Sequence, residues 1–227
     1  MLPKADPVGA HDGIFGDETG VCSFDDGHPG GVVLLLDSLP AAHQRRLTKP
    51  EPVYTVGHST RTVVEFVELL RIGNVELVVD IRSVPRSRTN PQFNLDALPE
   101  ALASWQIGHT QIKELGGLRG KSKTVSVEVN GFWNNQSFHN YADYALSCEF
   151  HIGLSRLLEL SQDRRCSIMC SEAVWWRCHR RIVADYLLCR GRTVFHLMGR
   201  QHAEPAKLTE TAIQSGDVII YPVGKFK

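Results

Sequence analysis

The chain has 227 residues, 42% of them hydrophobic, and carries 25 Lys plus Arg against 25 Asp plus Glu. This length builds one sizeable core but is short for two domains and a tail, and the even charge balance favours neither a nucleic-acid nor a membrane partner. No apolar run approaches the roughly 20 residues that cross a bilayer. The start lacks the basic segment, apolar run and cleavage site of a secretory leader, so a cytoplasmic protein is expected. Six cysteines at 22, 148, 166, 170, 178 and 189 are too scattered for a small secreted framework and are expected to be mostly reduced thiols.

Residues 1–50 are rich in Gly, Pro, Asp and His, with one strand-like run at Val32–Leu36. They read as a poorly ordered or weakly packed arm. From residue 51 a regular alternation begins. It comprises a strand Val53–Val56, a helix from about Thr60 to Arg71 with Thr60 as its cap, a strand Leu77–Ile81 and a helix Asn94–Trp105. A short strand follows near His109–Ile112, then a glycine-rich loop Leu115–Gly120 and helical periodicity from Tyr141 to Leu160. The last elements are a strand Cys166–Cys170, a helix Trp176–Cys189, a strand Thr193–Leu197 and a helix-and-strand pair ending in Val218–Tyr221. Unbroken apolar strands alternating with helices predict a single three-layer α/β domain over residues 51–227, its mainly parallel sheet covered by helices on both faces.

Parallel sheets gather ligand sites at the carboxyl ends of their strands, which makes three loops informative. The first, Gly57-His58-Ser59, joins a strand to a helix. There the free N–H groups of a first helical turn would bind an anion beside Ser59, with His58 as general acid or base; the plainer alternative is a helix cap. The second loop places Asp80, Arg82, Arg86 and Arg88 around Pro85. Three guanidiniums so close would converge on phosphate or carboxylate, unless Asp80 simply pairs with one of them.

The third loop runs Cys170-Ser171-Glu172 and leads to Cys178-His179-Arg180. Cys178 falls near a predicted helix start, where the dipole and neighbouring cations favour thiolate. Either Cys170 or Cys178 would serve as nucleophile, with Glu172 moving protons and His179 and Arg180 contacting substrate; a redox pair closed as a disulfide across the loop is one alternative, and two buried, inert thiols the plain one. The spacing of Cys170 and Cys178 is not a usual zinc pair, and adjacent Cys178 and His179 would point about 100° apart on a helix, so no metal ligands are assigned. Leu115–Lys123 adds glycines and cations without a phosphate-loop spacing, and Phe132, Trp133, Phe138 and Tyr141 are candidates for a pocket wall or for the core.

Taken in order, Thr55–Ser59, Val79–Ser87, Phe93, Leu115–Gly117, Cys170–Glu172 and Cys178–Arg180 resemble the bacterial and archaeal family called domain of unknown function 488. The resemblance covers roughly residues 53–200 and implies that the same three loops form a site, carried by His58, Asp80, Arg82, Cys170, Glu172, Cys178, His179 and Arg180. It implies no reaction and no cofactor. The chain departs from the family pattern at Val174, Trp175 and Trp176, where polar residues are usual, and in its first fifty residues. The leading expectation is an enzyme acting on a small anionic, phosphorylated or nucleotide-like substrate through a reactive cysteine. A non-catalytic nucleotide or nucleic-acid binding module is the second reading, and a metal held by Cys170, Cys178 and His58 from separate loops the third.

Overall fold

Strands made of unbroken Val, Ile and Leu need apolar cover on both faces, and in the computed structural model they receive it. The structure describes residues 50–199 and 202–224; the arm expected over residues 1–50, with its Val32–Leu36 run, lies outside the described residues apart from Pro50. One sheet contains β1 (Val53–Gly57), β2 (Leu77–Asp80), β3 (Gly108–Gln111), β4 (Cys166–Cys170), β5 (Val194–Met198) and β6 (His202–Pro205), in the order β3-β2-β4-β1-β5-β6. The first five strands are parallel and β6 runs antiparallel to β5. The helices are α1 (Val63–Ile72), α2 (Leu98–Ala103), α3 (Gln136–Tyr144), α4 (Cys148–Leu160) and α5 (Arg180–Cys189). This is an α/β domain with a mainly parallel sheet.

Alternate strand residues enter different cores, because successive side chains of a strand point to opposite faces. Val53, Leu77, Val79, Cys166 and Ile168 pack with Tyr141 of α3, Phe150 and Leu154 of α4 and Ile182 of α5. Val56, Val78 and Met169 pack with Phe66 and Leu70 of α1 and Leu98 and Leu102 of α2. Strand registers then fix the functional edge: Gly57 lies opposite Cys170, and Asp80 opposite Met169.

Several predicted elements are shorter or different, each for a local reason. The first helix starts at Val63 and not at Thr60, because Thr62 forms the capping box: its hydroxyl accepts from the Glu65 N–H at 3.2 Å while its own N–H donates to Glu65 at 2.7 Å. The helix expected over Asn94–Trp105 shrinks to Leu98–Ala103, since Pro99 has no N–H for a turn before it. The stretch Tyr141–Leu160 divides at Ala145–Ser147, where the Ser147 hydroxyl caps α4 through the Phe150 N–H. The helix expected from Trp176 starts at Arg180, after a 3-10 turn over Trp175–Arg177.

No helix follows β5 among the described residues. Instead the chain turns back as β6 and ends in a hairpin, β7 (Ile213–Ser215) with β8 (Val218–Ile220), whose turn uses Gly216 at φ 56°. Asp185 of α5 anchors this segment, accepting hydrogen bonds from the Thr209 N–H at 2.9 Å and the Tyr221 hydroxyl at 3.0 Å. Burial nevertheless wins and pushes the Asp185 carboxyl up to about 6. A raised carboxyl pKa favours the protonated form in the fold, so its stabilising contribution is complete below the unfolded value near 3.8 and is lost as pH rises through about 6. The wild type is therefore expected to lose stability relative to Asp185→Asn between pH 4 and pH 7.5, by on the order of 2–3 kcal/mol. Denaturant unfolding at both pH values checks this, and a difference that does not change with pH would contradict it.

Candidate functional site

The first loop is sewn to the third by backbone pairing that continues past the strand ends. His58 N–H donates to the Cys170 carbonyl and Ser59 N–H to the Ser171 carbonyl, both at 3.0 Å, with Ser59 in the left-handed region at φ 51°. These amides are occupied and lie ahead of α1, so the anion site expected from free N–H groups at Gly57-His58-Ser59 does not form there. Gly57 is required by close approach: a Cβ would stand 1.9 Å from the Glu172 carbonyl oxygen.

The second loop turns inward. Arg82 is 5% exposed, and its guanidinium donates to Asp80 at 2.6 Å and 2.9 Å and to the Phe93 carbonyl at 2.6 Å. Burial raises the Asp80 carboxyl, but the His109 ring 3.8 Å away and the hydrogen bonds and charge of Arg82 outweigh it and hold the group below the usual carboxylate range. Arginine only donates, so its contact with His58 Nε2 at 3.1 Å makes that nitrogen the acceptor, and His58 Nδ1 donates to the Ser59 carbonyl at 2.8 Å. Burial pushes this imidazole down to about 4. Stacked on Phe93 at 4.3 Å, His58 is neutral with its lone pair taken, which fits a group that positions Arg82 better than one that carries protons. The expected three-arginine cluster does not assemble: Arg86 is exposed at the cavity rim, 3.7 Å from Asp96, and exposed Arg88 does not line the cavity.

The third loop brings together the groups its sequence promised, in a different local form. Cys178 is extended at φ −130°, ψ 146°, and His179 caps α5. The expectation that these neighbours diverge on a helix therefore fails. His179 Nε2 donates to the Ile81 carbonyl at 3.2 Å, which leaves Nδ1 as an acceptor facing Cys178 Sγ at 3.6 Å and Cys170 Sγ at 3.9 Å. Among the described residues, these two sulfurs and this nitrogen form the set that could hold a metal ion, all lying within 4.8 Å of one another. His58 does not join it. Gly117 makes room for the ring, since a Cβ there would stand 2.4 Å from His179 Nδ1.

Arg180 lies behind the sulfurs. It is 1% exposed, its Nε donates to Cys178 Sγ at 3.3 Å, and its Nη2 donates to the Glu172 carbonyl. Burial alone would raise the Cys178 thiol, but the neighbouring Cys170 thiol and the Arg180 charge prevail and bring it down to about 6. The Cys178 neighbour, followed by burial, pushes Cys170 up to about 12. Cys166, Cys170, Cys178 and Cys189 are free thiols.

All of this borders one cavity of about 690 Å³, within the usual range for small-molecule sites. His58, Ser59, Arg82, Arg86, Cys170, Glu172, Cys178 and His179 line it, whereas Asp80 and Arg180 support it from behind. Sequence reasoning missed Arg177, Asn135 and Ser137 as lining groups. Arg177 adjoins the cysteine motif; Asn135 sits before α3 and caps it by accepting from the Ser137 N–H at 2.9 Å, a signal readable as Asn-x-Ser before a helix. Of the aromatics read as pocket wall or core, Phe138 lines the cavity, while Trp133 and Tyr141 belong to the core.

The model of the family described as Domain of unknown function DUF488 matches residues 62–187, more than half of the chain. The chain belongs to the DUF488 family. No curated protein and no solved structure matches it. The matched segment holds the second and third loops, and β1–β4 pairing adds His58 and Ser59 of this DUF488 protein to the same cavity. The unusual tryptophans stay out of the lining: Trp175 stacks on His196 at 4.3 Å, and Trp176 is exposed. The cations of the Leu115–Lys123 stretch also point elsewhere, with Arg119 folded over the Tyr144 ring at 3.5 Å.

Gly57→Ala tests how the loops are joined. The added methyl meets backbone, so a loss of about 1–3 kcal/mol or more in unfolding free energy is expected. A change within ~0.5 kcal/mol, the range of an ordinary surface substitution, would contradict the close approach of Glu172 to β1.

Proposed function

We propose that this DUF488 protein is an enzyme acting on a small anionic substrate in the 690 Å³ cavity, with Cys178 as its reactive cysteine. The observation that carries the reading is the buried Arg180 guanidinium, 3.3 Å from the Cys178 sulfur and with no carboxylate paired to it among the described residues. An unpaired buried cation is costly. A thiolate on Cys178 supplies the missing anion and lies on the cavity wall, ready to react.

The lining supports an anionic substrate. Arg82, Arg86 and Arg177 border the cavity against a single carboxylate, Glu172. The Arg82 charge is largely balanced by Asp80, so Arg86 and Arg177 at the rim supply most of the attraction. His179 Nδ1 is the acceptor nearest both sulfurs and takes the proton-carrying role first expected of His58. Glu172 is the remaining acid or base at the mouth. A cavity of this volume suits a small molecule, and nothing in it favours the nucleic-acid reading.

Alkylation of the metal-free protein by iodoacetamide, followed by peptide mass spectrometry, tests the proposal. Cys178 is expected to react faster than free cysteine at neutral pH and faster than Cys166 or Cys189, and inorganic phosphate is expected to slow it. A Cys178 no more reactive than free cysteine would remove the reactive-cysteine reading, and phosphate without effect would remove the anionic substrate.

A further inference from the structure

We infer that Cys170, Cys178 and His179 form a three-ligand centre for a zinc-type divalent cation, with its fourth position open to the cavity. The inference rests on the functional reading for the cavity and its anionic substrate, and it changes what the sulfurs do there. They become ligands that hold a Lewis acid.

The spacing fits such an ion. Zinc bonds of about 2.3 Å to sulfur and 2.0–2.1 Å to nitrogen at tetrahedral angles place two sulfurs about 3.8 Å apart and a sulfur and a nitrogen about 3.6 Å apart. The observed sulfur–nitrogen distances are 3.6 Å and 3.9 Å, and all three donor atoms lie within 4.8 Å of one another. Shifts of no more than about an ångström therefore complete the set. The donors come from two different elements, the end of β4 and the start of α5. Their sequence spacing consequently resembles no familiar zinc motif.

Surrounding contacts orient the donors as a metal centre requires. A ligating imidazole normally gives its other N–H to a carbonyl or carboxylate, and His179 Nε2 donates to the Ile81 carbonyl, leaving Nδ1 for the ion. Gly117 keeps the space beside Nδ1 itself open, since a Cβ there would stand 2.4 Å from that nitrogen. Arg180 Nε–H donates to Cys178 Sγ at 3.3 Å, the kind of hydrogen bond that steadies a metal thiolate.

Proton and charge accounting point to the same substrate class. A divalent ion binding two thiolates and a neutral imidazole displaces the remaining thiol protons to solvent and gives a neutral centre. The adjacent Arg180 guanidinium adds one positive charge, so the open position favours an anion: hydroxide from a bound water, or an oxygen of the anionic substrate.

The test uses the full chain, prepared without an affinity metal, stripped with chelator, incubated with zinc or cobalt and freed of excess ion by gel filtration. Elemental analysis is expected to find about one ion per chain. The cobalt form is expected to show sulfur-to-metal charge-transfer absorption and the visible bands of a tetrahedral site. Cys170→Ser, Cys178→Ser and His179→Ala should each weaken retention at least ~10-fold, and Cys166→Ser should not. A measurement independent of variants is alkylation of the wild type, in which zinc should slow Cys178 while leaving Cys189 unchanged. Retention well below one ion per chain, retention indifferent to all three ligand substitutions, or Cys178 labelling unaffected by zinc would overturn the inference. If no ion is retained but Cys178 still labels fast and phosphate still slows it, the metal centre falls and the enzyme reading stands. If zinc is retained but Cys178 in the stripped protein is no faster than free cysteine, the metal centre stands and the reactive-cysteine reading falls.

Discussion

A buried guanidinium with no carboxylate paired to it among the described residues is the constraint around which the site is arranged. Arg180 is 1% exposed, and its polar partners are the Glu172 carbonyl and the Cys178 sulfur. Burying a charge is tolerable only where opposite charge and hydrogen bonds answer it. In the proposed reading the answering charge falls on sulfur: the Arg180 charge helps bring the Cys178 thiol down to about 6, where burial alone would raise it. The same cation shapes its surroundings. After burial, its field helps keep His196 neutral, pushed down to about 3, and adds to the depression of His58.

Topology makes this arrangement possible. β1 and β4 are neighbours, yet the helices that follow them pack into different cores, α1 against Val56 and Met169 and α5 against Val53 and Ile168. Their loops therefore meet at the strand ends before separating, and that is where parallel sheets place ligands. Backbone bonds from His58 and Ser59 to Cys170 and Ser171 extend the meeting beyond the sheet. Gly57 lets the Glu172 carbonyl come close enough to be held by Arg180 from the other side. β2 completes the edge, since its end supplies both Asp80, which anchors Arg82, and the Ile81 carbonyl that orients His179.

Much of this was legible because it depends on local pattern. The apolar runs at Val53–Val56, Leu77–Val79 and Cys166–Cys170 announce buried parallel strands, and the strand-end rule then singles out three loops. What the sequence hid depends on contacts between distant residues. Asp80 and Arg82, two residues apart, read either as ligand contacts or as a pair, and only the burial seen in the fold decides for the pair. His58 looks like a proton carrier until Arg82 occupies its lone pair. Cys178 and His179 look divergent only on the assumption of a helix, which in fact starts at Arg180. Pro99 and the Thr62 capping box were visible signals, and they explain two misplaced helix starts.

The most direct measurement of the central claim is the ultraviolet thiolate absorption of the metal-free protein at pH 7.5. Charge compensation of Arg180 by sulfur predicts one thiolate that survives Cys170→Ser and disappears in Cys178→Ser. Absence of thiolate absorption in the wild type, or a signal that persists in Cys178→Ser, would contradict the account.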